Sequence, residues 1–147
     1  METTDVIKKS LIGIAIVIGL YVLSTYVQGY FWEKEAARYM EDVLLEIARP
    51  WRAEPILVRA SLALKASGNE RMVQRVEAGD AVLGNFVRVR EGPSCKLLLA
   101  VDSYSKEKFT YAACKARVEF EKKTASMNMR LVEQSKEWRI DDFTIDK

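Results

Sequence analysis

The sequence predicts an α+β protein in which an N-terminal transmembrane helix is followed by two or three helices packed on a curved antiparallel sheet of four or five strands. Three observations lead to this fold class: an uncharged apolar segment near the N-terminus, helical spacing of apolar residues after it, and short β-rich runs from Phe86 onward. A sheet with one apolar face needs cover, and the earlier helices supply it. A chain of 147 residues has room for one such domain and an anchor.

The first element is the predicted membrane anchor. From Ser10 to Trp32 the chain has 23 consecutive residues without a charge. A helix of about 20 apolar residues crosses a bilayer, because each residue adds about 1.5 Å and the hydrocarbon core is about 30 Å thick. We therefore predict a transmembrane helix over residues 10–32, anchored by side chains along its length: Leu11, Ile14, Ile18, Leu20, Tyr26 and Trp32.

The residues that flank the span predict its orientation. Lys8 and Lys9 precede it, and aromatic residues crowd its far end, where the headgroup region favours them. The positive-inside tendency places residues 1–9 in the cytoplasm and residues 33–147 outside it. We expect a single-pass protein of the inner (cytoplasmic) membrane with its C-terminal domain in the periplasm. The alternative is a cleaved signal peptide with a cleavage site at Val27-Gln28-Gly29.

Helices open the predicted domain. Apolar residues recur at intervals of three and four from Trp32 to Ile47, which indicates an amphipathic helix that ends before Pro50. A second helix is predicted over residues 53–66 and a third over residues 70–76. Gly79 and Gly84 then interrupt the helical pattern.

An antiparallel meander follows the helices. A turn over residues 103–106 pairs residues 94–101 with residues 109–121 and sets Cys95 opposite Cys114. A turn at Lys122-Lys123 would then place Val118 beside Met127.

The last predicted turn, over residues 134–137, sets Leu131 opposite Ile140. The alternation then slips by one residue, which predicts a β-bulge at Asp141-Asp142. One face of the sheet accumulates the expected core: Leu97, Leu99, Ala112, Val118, Phe120, Met127, Met129, Leu131, Trp138 and Ile140.

The closing strands resemble those of a known superfamily. The pattern consists of Tyr111-Ala112-Ala113, Val118-Glu119-Phe120-Glu121, Thr124-Ala125-Ser126, Leu131-Val132, Trp138-Arg139-Ile140 and Phe143-Thr144-Ile145. It is similar to small, membrane-anchored bacterial domains of the cystatin-like or nuclear-transport-factor-2-like superfamily, which implies a cystatin-like sheet. With Leu83-Gly84 it also resembles the cytochrome oxidase assembly factor 1 family, whose single-pass members chaperone respiratory-complex assembly. The resemblance carries no catalytic motif, so it implies more about fold than about function.

Two groups of residues are candidate sites. Cys95 and Cys114 are too far apart in sequence for a CxxC motif, so they form either a core disulfide, which would indicate an oxidising compartment, or two buried thiols. On the outward sheet face, the register aligns basic residues with only Glu119 and Asp141 as countercharges. This face is either a solvated surface or a docking surface for an acidic protein or anionic headgroups. Its residues are Lys96, Lys115, Arg117, Arg130 and Arg139.

Composition and motifs argue against several functions. The chain has no histidine, which removes His-based triads and zinc sites. Of 23 Lys and Arg and 21 Asp and Glu, two of each precede the span, which leaves the domain at 21 against 19, too even for phosphate-driven nucleic-acid binding. No GxGxxG, GxxxxGK, GxSxG or calcium-loop motif is present. We expect no enzymatic activity, no cofactor, no metal and no nucleic-acid partner.

These observations predict a non-enzymatic accessory or assembly subunit of an inner-membrane protein complex, which acts through its extracytoplasmic domain. Its expected partners are the bilayer and an integral membrane protein complex. Two alternatives stay open: a small-ligand-binding or enzymatic domain with a cavity between sheet and helices, and a secretion-system subunit.

Overall fold

The computed structural model describes residues 2–146; Met1 and Lys147, which belong to the predicted cytoplasmic segment and the predicted domain, lie outside the described residues. Helices come first: α1 (Glu2–Ala48), α2 (Glu54–Val58), α3 (Leu62–Ala66), α4 (Glu70–Glu77) and α5 (Gly79–Leu83). Four strands follow: β1 (Phe86–Val101), β2 (Lys108–Phe120), β3 (Thr124–Gln134) and β4 (Glu137–Asp146). The chain divides into two compact units, of which the first ends at Trp32 and the second begins at Glu33.

The first unit is the apolar part of α1. Its large apolar side chains are exposed from Val6 to Phe31. Among the described residues, α1 is the one helix that is long and apolar enough to cross a membrane. A lone helix suits lipid because its backbone groups bond to one another while its side chains meet hydrocarbon on every side. The finding agrees with the predicted single-pass anchor.

The second unit is an antiparallel sheet covered by helices, which confirms the predicted α+β class. The strands follow in the order β1-β2-β3-β4. Buried residues alternate with others along β2, because successive side chains point to opposite faces of a sheet. One core joins the helices to the sheet, and it includes Met40, Leu44, Ile56, Val76, Leu83, Met127, Met129 and Leu131.

The amphipathic helix predicted after the span is the continuation of α1. Ala36, Met40, Val43 and Ile47 are fully buried, at the three- and four-residue spacing of one helix face. The helix ends at Ala48, shortly before Pro50, whose ring lacks the N–H donor that a further turn would need.

The helix predicted over residues 53–66 is helical at both ends but not continuous, because the chain divides it into α2 and α3. Between them, Ile140 of β4 donates its N–H to Arg59 O (2.8 Å), and Ser61 N donates to Ile140 O (2.7 Å). The Ser61 hydroxyl then accepts the N–H of Leu64 at 3.0 Å and caps α3. Pairing with an edge strand thus replaces helical hydrogen bonds at this point.

The helix predicted over residues 70–76 is α4, and the expected interruption before Gly79 is present at Ala78, after which Gly79 begins the short helix α5. Gly79 lies against the indole ring of Trp51, where a β-carbon would overlap the ring. Gly84 does end the helical region: its φ of 77° favours glycine, and its carbonyl accepts the Trp51 Nε1–H at 2.8 Å. At Gly79 small size matters, whereas at Gly84 the backbone conformation matters.

Strand pairing matches the prediction in the first hairpin. Cys95 lies opposite Cys114, as the turn over residues 103–106 requires. The second hairpin is shifted by two residues, because Val118 opposes Ala125 and not Met127.

A tighter turn causes that shift. Phe120 N donates to Lys123 O at 3.0 Å, so Glu121 and Lys122 form the turn. A shift by two residues keeps each side chain on its predicted face, so Met127 remains in the core.

The third hairpin and its bulge are as predicted. Leu131 opposes Ile140, whereas Arg130 opposes Asp142, so Asp141 is the extra residue. The bulge turns Phe143 inward, where it is 2% exposed. The predicted core is wrong at Leu99, which is 67% exposed, because β1 leaves the core after Leu97.

Candidate functional site

The predicted anchoring residues lie in α1. Leu11, Ile14, Ile18 and Leu20 are 57 to 61% exposed, and Tyr26 is 77% exposed. Trp32, at the end of this segment, is half-buried. Exposed apolar surface costs about 25 cal/mol per Å² in water, so a continuous segment of this kind favours an apolar surrounding.

A disulfide joins Cys95 of β1 to Cys114 of β2, which decides between the two alternatives for this pair. Both cysteines of the chain are used in it. The residues are 8% and 3% exposed, so the bond lies on the inner face of the sheet. It ties the edge strand β1 to its neighbour and acts as a structural cross-link.

Three of the five predicted basic residues have acidic partners. Ion pairs join Arg117 to Glu91 (3.7 Å), Arg130 to Asp141 (2.7 Å) and Arg139 to Glu137 (2.8 Å). Within residues 2–146, Lys96 and Lys115 are exposed and take part in no ion pair. Glu91 and Glu137 were not among the predicted countercharges, so the face carries a more even mixture of charges than the sequence suggested.

A second basic cluster on β1 was not predicted. Arg88 Nε and Arg90 Nε donate to the same oxygen, Glu119 Oε2, at 2.7 and 2.8 Å. The hydrogen bonds from Arg90 and then Arg88 lower the pKa of Glu119 to about 2. Two guanidinium groups share one carboxylate, so this part of the sheet keeps an excess positive charge.

A polar cleft of about 350 Å³ lies where β1 kinks at Gly92. The φ of Gly92 is 81°, and a β-carbon there would stand 2.8 Å from Lys115 O, so glycine permits the close approach of β1 to β2. Both signs of charge line the cleft, together with hydroxyl groups: Glu91, Ser94, Lys115, Arg117, Thr124, Ser126 and Asp146. One register shift of β1 falls between Glu91 and Ser94, so the Gly92-Pro93 pair was the sequence signal available for this cleft.

A buried polar junction links α3 to the bulge of β4. The Ser61 hydroxyl donates to Asp141 Oδ1 at 2.8 Å, and Arg130 Nε donates to Asp141 Oδ2 at 2.8 Å. Ser61 is fully buried. Asp141 therefore has the structural role of holding the bulge, which agrees with its prediction as a bulge residue.

Exposed apolar side chains lie in the far part of the first hairpin, residues 98–109, around its turn. The sequence predicted Leu99 as a core residue and did not single out the others. Tyr104 is 98% exposed, Leu99 67% and Val101 55%, with Leu98 and Phe109 at 43% and 40%. Asp102 Oδ1 accepts the N–H groups of Tyr104 and Ser105, so the turn is closed by its own hydrogen bonds. The sequence signal for this exposed surface was the presence of apolar residues on both faces of the hairpin, because a strand with one buried face carries them mainly on that face.

No protein-family model, curated protein or solved structure matches this chain. Among the described residues, no three His, Cys, Asp or Glu side chains form a group that could hold a metal ion.

Proposed function

We propose that this chain is a non-enzymatic, single-pass accessory or assembly subunit of an inner-membrane protein complex, with its α+β domain in the periplasm. The observation that carries the proposal is the continuous exposure of apolar side chains along α1 up to Phe31. An anchor of this kind confines the domain to one membrane and raises its effective concentration for partners in that membrane.

Packing between sheet and helices favours an interaction domain over a cavity-based enzyme. Phe120, Met127 and Met129 occupy the space in which such a cavity would lie, and they are 3%, 0% and 2% exposed. Met40 and Leu44 of α1 belong to the same core. Side chains packed in this way leave little room for a ligand at that place.

The disulfide supports the periplasmic side. Disulfides persist in oxidising compartments and are rare in the cytosol, and the bond between Cys95 and Cys114 belongs to the core of this domain. The resemblance of the closing strands to a family of assembly factors favours an assembly role among the possible accessory roles.

Purification of the tagged full chain in a mild detergent tests the proposal. We expect it to migrate with a larger membrane complex on a native gel, and deletion of the chain to lower the abundance of that complex. A matched variant, with residues 10–32 replaced by the span of an unrelated single-pass protein, shows whether the anchor sequence or only anchoring is needed. The proposal is wrong if the chain migrates alone and every membrane complex keeps its normal abundance after deletion.

The identity of the co-purified complex distinguishes the proposed assembly role from the secretion-system alternative. If the alternative is correct, the chain will co-purify with a secretion apparatus and not with an enzyme complex under assembly.

The orientation has its own test. Lys123 is exposed in the second hairpin. The variant Lys123→Cys has one free thiol, because Cys95 and Cys114 are bonded to each other. A membrane-impermeant maleimide should label Lys123→Cys in intact spheroplasts as strongly as in lysed ones. Labelling that requires lysis would place the domain in the cytoplasm.

A further inference from the structure

We propose that the far part of the first hairpin, residues 98–109, rests in the headgroup layer of the membrane that α1 spans. This hairpin tip would give the domain a second contact with the bilayer, besides the anchor itself. The inference rests on the anchoring part of the proposed function and is independent of which protein complex the chain serves.

Two sets of contacts within residues 33–146 give the direction of β1 relative to the second part of α1. At one end, the Arg49 guanidinium lies 4.3 Å from the ring centre of Phe86, the first residue of β1. At the other, Glu33 Oε1 accepts the N–H of Leu97 at 3.1 Å. Going from Phe86 to Leu97 along β1 therefore means going from Arg49 back to Glu33 along the helix.

The hairpin tip continues past Leu97 in the same direction. Glu33 is the first residue of the second unit, and the uncharged span ends one residue before it, at Trp32. β1 continues four residues past Leu97, to Val101, and a strand rises about 3.3 Å per residue, so β1 extends about 13 Å beyond Leu97 before the turn that carries Tyr104. That reach is directed to the end of the domain at which the membrane segment joins it.

Exposed apolar side chains gather at this Glu33 end. Among residues 33–146, eight large apolar side chains are exposed, and five belong to the hairpin tip: Leu98, Leu99, Val101, Tyr104 and Phe109. Leu62 lies at the same end, because its N–H bonds to Gln134 Oε1 beside the third turn. Val87 lies at the opposite end, and Val58 lies away from the tip, beside Glu46 and Arg52.

The opposite end has a different surface. Its turn, Glu121-Lys122, is bound to the chain before β1: Glu121 Oε2 accepts from Asn85 at 3.1 Å, and Lys122 Nζ donates to Ala81 O at 2.6 Å. The aromatic residues there face inward, with Trp51 stacked on Phe120 at 5.2 Å between ring centres.

The composition of the hairpin tip suits headgroups better than hydrocarbon. Two acids and two bases, Asp102, Glu107, Lys106 and Lys108, stand among the apolar residues, and charged groups are costly at the bilayer centre. Tyrosine and lysine are favoured at the interface, where an apolar body and a polar end are both satisfied. Because these charges cancel, contact with zwitterionic lipid should suffice.

Spin labels on the full chain test this contact. Tyr104→Cys carries the label at the tip, and Lys123→Cys carries the matched control at the opposite end; both side chains are exposed, and the native cysteines are bonded. In phosphatidylcholine nanodiscs, we expect the ratio of collision rates with oxygen and with a water-soluble nickel chelate to be several-fold higher at position 104 than at position 123. Leu99→Cys should give a ratio between the two.

Each other result overturns the inference in a distinct way. Equal ratios at positions 104 and 123, in a chain that has integrated into the nanodisc, would place the tip in water and leave the anchored role intact. Protection of position 104 in native membranes but not in nanodiscs would show that a protein, and not lipid, covers the tip. A chain that fails to integrate at all would overturn both this inference and the proposed anchor.

Discussion

Residues 2–32 and residues 33–48 belong to one continuous helix, α1, but their side chains have opposite environments. In the first part, apolar residues such as Leu11, Ile14 and Ile18 are more than half exposed. In the second, Met40 and Leu44 are 0% and 1% exposed under the sheet. Both parts contain many apolar residues, so hydrophobicity alone does not separate them. The periodicity does, because apolar residues on every side require lipid whereas apolar residues on one face require a partner.

The largest expected effect distinguishes the two parts by truncation. Leu44→Ala should lower the free energy of unfolding of the domain by about 2–5 kcal/mol, because it leaves a cavity in a packed core. The matched change Ile18→Ala removes as much hydrocarbon from an exposed position and should leave domain unfolding unchanged. Denaturant unfolding of the detergent-solubilised chain, followed by tryptophan fluorescence, measures both. Equal losses would mean that the two parts do not differ as described.

Removal of the disulfide should destabilise the α+β domain and leave the membrane segment unaffected. The bond spans a sequence separation of 19 residues, and the chain-entropy relation gives a stabilisation of about 3 kcal/mol for a loop of that size. Cys95→Ala with Cys114→Ala should lower the denaturation midpoint and leave the membrane fraction unchanged. A reduced wild-type chain is the control. If the double variant is as stable as the oxidised protein, the cross-link has no stabilising role.

A charge in the span should produce the reverse pattern. An aspartate at the centre of a spanning helix costs about 2.5–3.5 kcal/mol on insertion scales. Ile18→Asp should therefore shift the chain from the carbonate-resistant membrane fraction toward the soluble fraction. Val58→Asp, at an exposed position in α2, is the matched control and should fractionate normally. Full membrane retention of Ile18→Asp would count against a span centred in this segment.

The polar junction at Ser61 should give a smaller loss. Ser61→Ala removes the cap of α3 and the hydrogen bond to Asp141, for a cost of about 1–2 kcal/mol. Ser67→Ala removes an exposed hydroxyl that bonds to Leu64 O and should cost much less. Chemical denaturation of both variants measures the difference, and equal stabilities would show that the junction does not hold α3 against β4.

The smallest effect is the pH dependence from Glu119. Its pKa falls from the ordinary value of 4.5 to about 2, chiefly through the hydrogen bond from Arg90. The contribution to stability is fully present above about pH 4.5 and is lost as the pH falls toward 2. Wild type should therefore lose more stability than Glu119→Gln between those values, and less so in high salt. Parallel pH profiles of the two proteins would contradict this role.

Repeating patterns made much of the fold predictable. The turn over residues 103–106 placed Cys95 opposite Cys114, and the slip in the period of two located the bulge at Asp141. The two-residue error in the second hairpin arose because the turn could be closed at Glu121-Lys122 or at Lys122-Lys123 with the same side chains facing inward. Alternation specifies the face of a strand and not its register.

The candidate surfaces were harder to predict. The five basic residues were identified by number, but their partners Glu91 and Glu137 depend on strand geometry and side-chain reach. Leu99, in the hairpin tip, was assigned to the core because it follows the alternation of the buried residues. A period of two gives the face on which a side chain lies, but it does not show how far along the strand the helices cover that face.

By itself, the sequence determined the apolar helix, the α+β class and the faces of the strands, because each depends on the spacing of neighbouring apolar residues. Only the tertiary structure decided where the helix over residues 53–66 breaks, which acids meet the outward arginines, and that Glu33 bonds to the edge of β1 at Leu97. These outcomes depend on groups that are distant in sequence and meet only when the chain has folded. The direction of the hairpin tip, on which the proposed second contact with the membrane rests, depends on such long-range contacts.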